Sequence, residues 1–244
     1  MIKLCKCVDK LLFYVIILTK AERFGDQMKK SVYSIVLMDD VVTAIDEMAY
    51  QYKASRSNLI NQILADHVSL ATPEKRMREV FVSLKDLMSD TFQFQFQPSD
   101  SILTLHSPLQ YKYRPTIRYS VELGRSSEAV LGKLKIVFRT QSPKLISYLA
   151  EFYRILILLE KQYLEGAHKA DIGYLLEDGR FTRDLMLPTD KESLSDQELG
   201  SALAAYIQLM DAMIKVYFAT LESPDVAKLE SLYKHYVKKN SILI

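Results

Sequence analysis

The segment from Lys29 to Leu70 constrains the fold more than any other part of the chain, because it does not contain enough structure to be stable alone. Its first residues alternate as in a short strand, and two amphipathic helices follow, joined by a turn at residues 53–57. A single strand has two unpaired edges, and about 40 residues rarely close a core without help. We therefore expect a second copy to pair with the strand in a two-stranded antiparallel ribbon, an element that fits the DNA major groove.

Apolar spacing shows which faces of this segment are available for burial. Strand side chains alternate between two faces, which separates two trios, Tyr33, Ile35 and Leu37 from Val32, Ser34 and Val36. The first helix has apolar residues at helical spacing from Val41 to Tyr52, and Asp39 or Asp40 can cap it. The second helix repeats the pattern through residue 68, and Ser55 can cap it. One strand face and one stripe of each helix are therefore predicted to form a core.

These residues resemble the ribbon-helix-helix family of bacterial DNA-binding proteins. Three stretches carry the resemblance: Leu37-Met38-Asp39-Asp40-Val41-Val42, Ile45-Asp46-Glu47-Met48-Ala49 and Ser55-Arg56-Ser57-Asn58-Leu59-Ile60. The resemblance implies a homodimer, or a higher even oligomer, that binds double-stranded DNA. It covers only the segment 29–70, and the rest of the chain resembles no family that we recognise.

The resemblance also implies which residues contact DNA. The outer face of the ribbon would present Val32, Ser34 and Val36 to the bases, with positive charge from Lys30, and the start of the second helix would hold a phosphate group through Ser55, Arg56 and Ser57. Two features depart from the family pattern. Valine can contact only thymine methyl groups, and Lys53 replaces the usual turn glycine. A ribbon retained only for dimerisation is therefore the alternative interpretation.

The N-terminal 27 residues are predicted to be an extension that precedes the folded part. Leu11 to Leu18 is an apolar run too short to span a membrane, and no cleavage site of small residues follows it. Our hypothesis is that translation naturally starts at Met28, and the alternative is an amphipathic extension that packs against the protein. The predicted organisation is thus 1–27 extension, 28–70 ribbon-helix-helix domain and 71–244 second domain.

Net charge and cysteine content limit the classes of function and the cellular compartment that we expect. The formal net charge of +2 does not indicate nucleic-acid binding by itself, because a DNA footprint needs local charge. Cys5 and Cys7 are the two cysteines, so the body of the protein has neither a disulfide framework nor a cysteine-rich metal site. We expect a protein of the reducing cytoplasm that is not associated with a membrane.

Residues 71–244 are predicted to form an α+β domain. Thr72-Pro73 starts a helix to Met88, and Ser142-Pro143 starts a long helix whose apolar centre predicts the buried spine of the domain. The capping box Ser195-Asp196-Gln197-Glu198 starts a third helix, and Ser223-Pro224 a fourth that ends near Lys239. Between the first two helices lie four predicted strands, at residues 92–97, 102–105, 116–123 and 133–139. The predicted domain is a helix, a four-stranded antiparallel sheet and three C-terminal helices, with an irregular stretch at 166–193.

No pattern in this domain predicts catalysis. Its histidines, His106, His168 and His235, lack metal-binding spacing, and we find neither a glycine-rich phosphate loop nor a nucleophile elbow. Lys112, Arg114 and Arg118 lie among tyrosines, which is typical of a strand with a basic outer face and, less often, of an anion-binding or nucleic-acid surface.

The predicted function is therefore a transcriptional regulator, most simply a repressor, that is not an enzyme and needs no cofactor. Its C-terminal domain would bind a small-molecule effector or a protein partner, or would assemble dimers into a higher oligomer. The alternative is an antitoxin, or another protein-interaction module, that uses the ribbon-helix-helix segment mainly to dimerise.

Overall fold

The computed structural model describes residues 34–52, 54–70, 72–88, 90, 92–95, 101–112, 114–124 and 129–244. These residues form six helices and one six-stranded antiparallel sheet, so the predicted α+β class is confirmed. In chain order the elements are α1 (Asp39–Tyr52), α2 (Arg56–His67), α3 (Pro73–Met88), β1 (Gln93–Gln95), β2 (Ile102–Pro108), β3 (Thr116–Leu123), β4 (Val130–Phe138), α4 (Pro143–Tyr163), β5 (Tyr174–Glu177), β6 (Arg180–Met186), α5 (Asp196–Ala219) and α6 (Val226–Lys239).

Helices α1 and α2 form a hairpin with a very small core. Ile45, Ala49 and Leu59 are buried together, and Val41 and Ile60 pack against them. Both helices lie where the apolar spacing predicts them. We call the described residues 34–70 the head.

The predicted ribbon strand is not formed in this chain by itself. Residues 34–38 belong to no helix or strand, and residues 29–33 of that prediction lie outside the described part of the chain. A strand needs a hydrogen-bonded neighbour, and the sheet of the C-terminal domain uses only strands from residue 93 onward. The ribbon consequently remains a prediction about two copies.

The sheet has six strands, not the four predicted, in the order β1-β2-β3-β4-β6-β5. The two additional strands form a hairpin, β5 and β6, within the stretch 166–193 that the sequence presented as irregular. Their turn is Asp178-Gly179, where Gly179 has φ +69. The strand was not predicted because the charged Arg183 interrupts the apolar alternation of β6. Its side chain nevertheless faces the core and has no exposed surface.

Helices α3 to α6 pack on one face of the sheet around a single hydrophobic cluster. The sequence predicted α4 as the buried spine of the domain, but this prediction is wrong, because Leu158 in the apolar centre of α4 is 67% exposed. Helix α5 is the buried spine instead. Helix α5 is long and apolar enough to cross a membrane, but 67% of its most apolar window is buried inside the domain. Its close approach to α3 requires Gly200, whose added Cβ would lie 2.8 Å from the Ser83 Oγ.

Candidate functional site

The start of α2 has the geometry of a capped and accessible helix N-terminus. The Ser55 hydroxyl accepts a hydrogen bond from the Asn58 N–H at 3.2 Å, which satisfies one of the free donors of the first turn. Ser55, Arg56 and Ser57 are all exposed. The positive end of the helix dipole at this position favours an anion.

Arg56 already has an anionic partner within the head. Its Nε lies 2.6 Å from Asp46 Oδ1, and its Nη2 bonds to Asp46 Oδ2, so the pair is bidentate. The hydrogen bond from Arg56 lowers the pKa of Asp46, and the same hydrogen bond raises the pKa of Arg56. Because both side chains remain about half exposed, solvent screens the pair and a phosphate oxygen can compete with the carboxylate.

Sequence reasoning identified Arg56 but missed Asp46. The two residues are ten positions apart on different helices, and only the hairpin brings them together. The signal available in the sequence was a carboxylate on the outer side of α1, which by itself indicates nothing more than a solvated helix face.

The predicted base-reading residues are only partly described. Ser34 and Val36 are exposed, but Ile35 and Leu37 of the opposite strand face are exposed as well, so exposure does not distinguish the two predicted faces. Lys30 and Val32 lie outside the described residues. The structure thus places three of the predicted phosphate-binding residues at one helix end and leaves the base-reading face as a prediction.

The head exposes a large share of its apolar side chains. Eleven of the eighteen large exposed hydrophobic residues in the described chain belong to it. These side chains are Ile35, Val36, Leu37, Met38, Met48, Tyr50, Tyr52, Ile63, Leu64, Val68 and Leu70. We call them the head apolar surface. Such a concentration in a short segment is typical of a surface that is covered by a partner.

The C-terminal domain contains a second arginine–carboxylate pair, but it is completely buried. Arg183 Nε donates to Glu160 Oε2 at 2.9 Å, and neither side chain has exposed surface. Tyr174 donates to the same carboxylate at 2.6 Å and Tyr206 at 2.5 Å. The Arg183 guanidinium also lies 4.5 Å from the centre of the Tyr206 ring. The carboxylate is thereby held by three donors from the sheet and α5.

Electrostatics identify this cluster as structural. Burial raises the pKa of Tyr206, and burial followed by the charge of Glu160 raises that of Tyr174, so both hydroxyls stay protonated as donors. Burial lowers the pKa of Arg183, but the Glu160 carboxylate, together with Tyr206 and Tyr174, outweighs burial and raises this pKa overall. No solvent path reaches the ion pair, since both partners are fully covered.

Two further observations concern ligand binding by the domain. A cleft of 220 Å³ between α4 and the β5–β6 turn is lined by Leu149, Tyr153, Arg154 and Glu177 and is smaller than the usual small-molecule pocket of about 300 Å³ or more. Within the described ranges, no three His, Cys, Asp or Glu side chains come together as metal ligands would.

Comparison with known proteins adds no family to this geometry. No protein-family model, curated protein or solved structure matches the chain.

Proposed function

We propose that the protein is a DNA-binding transcriptional regulator of the reducing cytoplasm that acts as a ribbon-helix-helix homodimer through residues 29–70. The C-terminal domain would regulate the head or join dimers into a higher even oligomer. The head apolar surface is the single observation that carries this proposal, because it leaves the helix pair incomplete as a monomer.

The cost of leaving this surface in water supports a second copy. Only three residues of the head belong to its buried core, whereas eleven large apolar side chains remain exposed. Fully burying one Leu or Ile side chain contributes about 1.5 to 3 kcal/mol, so covering most of the eleven on both copies exceeds the association cost of about 4 to 15 kcal/mol. Two-fold pairing of the segment before α1 would also satisfy its backbone hydrogen bonds.

The start of α2 supports a contact with the phosphate backbone. It combines a helix N-terminus with the exposed side chains of Ser55, Arg56 and Ser57. Phosphate contacts set position and affinity but carry no sequence information directly. With valines on the ribbon, selectivity would come more from DNA shape and half-site spacing than from hydrogen bonds to bases.

The decisive experiment uses the promoter DNA of the protein's own gene, two variants of the head and one control variant on α3. Arg56→Ala removes the phosphate contact, so binding weakens on all sequences and the slope of log K against log salt decreases by about one. Asp46→Asn releases Arg56 from its internal partner, so binding strengthens by about threefold. Lys75→Ala is the control, since Lys75 forms a comparable exposed pair with Asp66 at 2.9 Å.

The outcome separates the regulator from a protein-interaction role. DNA binding is measured by electrophoretic mobility shifts over a salt series. The regulator proposal is contradicted if the wild-type dimer prefers no DNA sequence and Arg56→Ala binds DNA as wild type does. That result would favour the antitoxin alternative, which the internal Asp46–Arg56 pair and the apolar Val36 already support. A toxic neighbouring gene product that is neutralised by this chain would then identify the partner.

A further inference from the structure

The sheet of the C-terminal domain has one face without a helical layer. Helices α3 to α6 share their hydrophobic core with the inner face, and side chains of the opposite face are mostly polar and partly exposed. Strand register aligns these outer side chains in rows across the sheet. One row runs Gln93, His106, Arg118, Val137 and Arg180, each opposite the next on the neighbouring strand.

Charges on most of this outer face are neutralised in pairs. Lys135 Nζ lies 2.6 Å from Glu122 Oε2, and Lys133 Nζ lies 3.5 Å from Asp184 Oδ1. The exposed end of β6 is also paired, because Arg180 binds Glu177 at 3.2 Å. These contacts show the usual state of a solvated sheet face.

Two arginines on the same face lack such partners. Among the ion pairs of the described chain, none includes Arg118 or Arg139. Arg118 is directly opposite His106, and Arg139 lies two residues beyond Val137, the other neighbour of Arg118. Directly opposed residues have Cβ atoms about 5 Å apart and diagonal neighbours about 7 to 8 Å, so one small ligand can reach all three side chains.

His106 lies within this cationic group and has an unused polar atom. Its Nε2 is buried and makes no hydrogen bond, although buried polar atoms normally have a partner. Burial lowers the pKa of His106, and the positive charges of Arg118 and Arg139 lower it further. The two arginines therefore concentrate positive potential beside a neutral imidazole that can still hydrogen-bond, and no ion pair of the described residues offsets their charge.

We propose that Arg118, Arg139 and His106 form a binding site for a phosphate group on the open face of the sheet. Guanidinium groups bind phosphate oxygens in a bidentate manner, and an imidazole N–H supplies an additional donor. The two described tyrosines of this stretch do not provide a base-stacking platform: Tyr119 is buried and donates a hydrogen bond to Asp211, and Tyr111 packs on Phe218. The site therefore recognises phosphate charge and geometry. It lies outside the head and does not depend on the function proposed for the head.

The test is a titration of the full chain with pyrophosphate, followed through the imidazole resonances of His106 by NMR. The variant Arg118→Gln/Arg139→Gln should weaken binding at least about tenfold, since two charge-assisted contacts are lost. The matched control is Lys133→Gln/Lys135→Gln, which removes two cations from the same face, both of them paired with carboxylates. It should bind within about twofold of wild type.

A second arm identifies the source of the phosphate. An Arg56→Ala chain, in which the head contact is removed, is titrated with a short DNA duplex of unrelated sequence. If the His106 resonances shift with the duplex, and the shift is lost in Arg118→Gln/Arg139→Gln, the ligand is a nucleic-acid phosphate. If they shift with pyrophosphate alone, the ligand is a small phosphate compound. The proposal is overturned if wild type responds to neither probe or if the double glutamine variant binds as wild type does. If that variant fails to fold, Arg139→Gln alone serves, because Arg139 is exposed beyond the end of β4.

Discussion

The two regions of this protein both contain an arginine–carboxylate pair that links a pair of elements, but the two pairs lie in opposite environments. In the head, Arg56 and Asp46 link α2 to α1 at the surface, and each side chain remains about half exposed. In the C-terminal domain, Arg183 and Glu160 link β6 to α4 with no exposed surface. Water can replace either partner of the first pair but not of the second. The exposed pair is therefore suited to exchange with a ligand, and the buried pair to specifying a single fold.

The C-terminal domain also buries many more apolar side chains than the head does. The head buries three apolar residues in its own core, whereas one large cluster unites the helices and inner sheet face of the C-terminal domain. The C-terminal domain is expected to be stable as a monomer, and the head is expected to gain its stability from association. Four predictions test this contrast, in order of decreasing effect.

Glu160→Gln should cause the largest loss of stability. Removal of the carboxylate leaves Arg183 as an unpaired buried charge, which costs about 3 to 5 kcal/mol in the free energy of unfolding. Glu177→Gln is the control, because it breaks an exposed pair with Arg180 and should cost under about 1 kcal/mol. Urea denaturation followed by tyrosine fluorescence measures both. Equal losses would show that the buried pair has no special structural role.

Gly132→Ala should destabilise the sheet without affecting the head. An added Cβ at Gly132 would lie 2.2 Å from the Glu122 carbonyl oxygen, a contact that requires the backbone of β3 or β4 to move. We expect a loss of about 2 to 3 kcal/mol in urea denaturation. Gly124→Ala is the matched control, since its nearest contact would be an ordinary 3.5 Å. A comparable loss in both variants would contradict the close strand approach at Gly132.

Leu64→Lys should separate the dimer without unfolding the C-terminal domain. Leu64 is 54% exposed within the head apolar surface, so a charge there prevents burial by a second copy. Because Leu64 is already about half buried in the head, its loss costs about 1 kcal/mol per copy, or about 2 kcal/mol per dimer, which corresponds to a dimer dissociation constant raised about thirtyfold. Sedimentation velocity over a dilution series measures this change. Val226→Lys, at a 46% exposed position on α6, should leave the dimer intact, and a monomeric wild type would refute the association of the heads.

The smallest effect concerns the acid stability of the C-terminal domain. The Ser195 backbone N–H and hydroxyl, together with Lys191, lower the pKa of Glu198 from its ordinary 4.5 to about 2. A carboxylate with a lowered pKa stabilises the fold above its unfolded value, and this stabilisation is lost as the pH falls from about 4.5 toward 2. Glu198→Gln should therefore flatten the dependence of Tm on pH in that range.

Asp46→Asn provides the comparison for that measurement. Arg56 lowers the pKa of Asp46, so this variant changes the acid response of the head. It should leave the melting transition of the C-terminal domain as in wild type at each pH. An identical pH profile for wild type and Glu198→Gln would contradict the capping role of Glu198.

Local signals in the sequence predicted many elements correctly. Pro73 and Ser142-Pro143 mark the starts of α3 and α4, and the capping box at Ser195 marks the start of α5. Strand β3 was predicted with its observed bounds, Thr116–Leu123. Each of these features depends on residues within one turn or on simple alternation, so no distant contact was needed to recognise it.

The failures arose where distant residues decide the outcome. The hairpin of β5 and β6 was missed although Asp178-Gly179 is a strong hairpin turn signal, because Arg183 in a core position interrupts the apolar pattern. Its partner Glu160 is 23 residues earlier on α4, and nothing local relates the two. The same limitation made the apolar centre of α4 look like the spine of the domain, a position that α5 occupies.

The sequence by itself determined the helix pair of the head, the caps of the larger helices and the α+β class, because these depend on spacing and on contacts within a few residues. Only the tertiary structure decided that β6 lies between β4 and β5, that Arg183 is buried on Glu160 and that Arg56 is held by Asp46. It also decided that Arg118 and Arg139 lie beside His106 and form no ion pair with the residues that the structure describes. The physical reason is the same in each case: the charge environment of a side chain depends on which distant elements pack beside it.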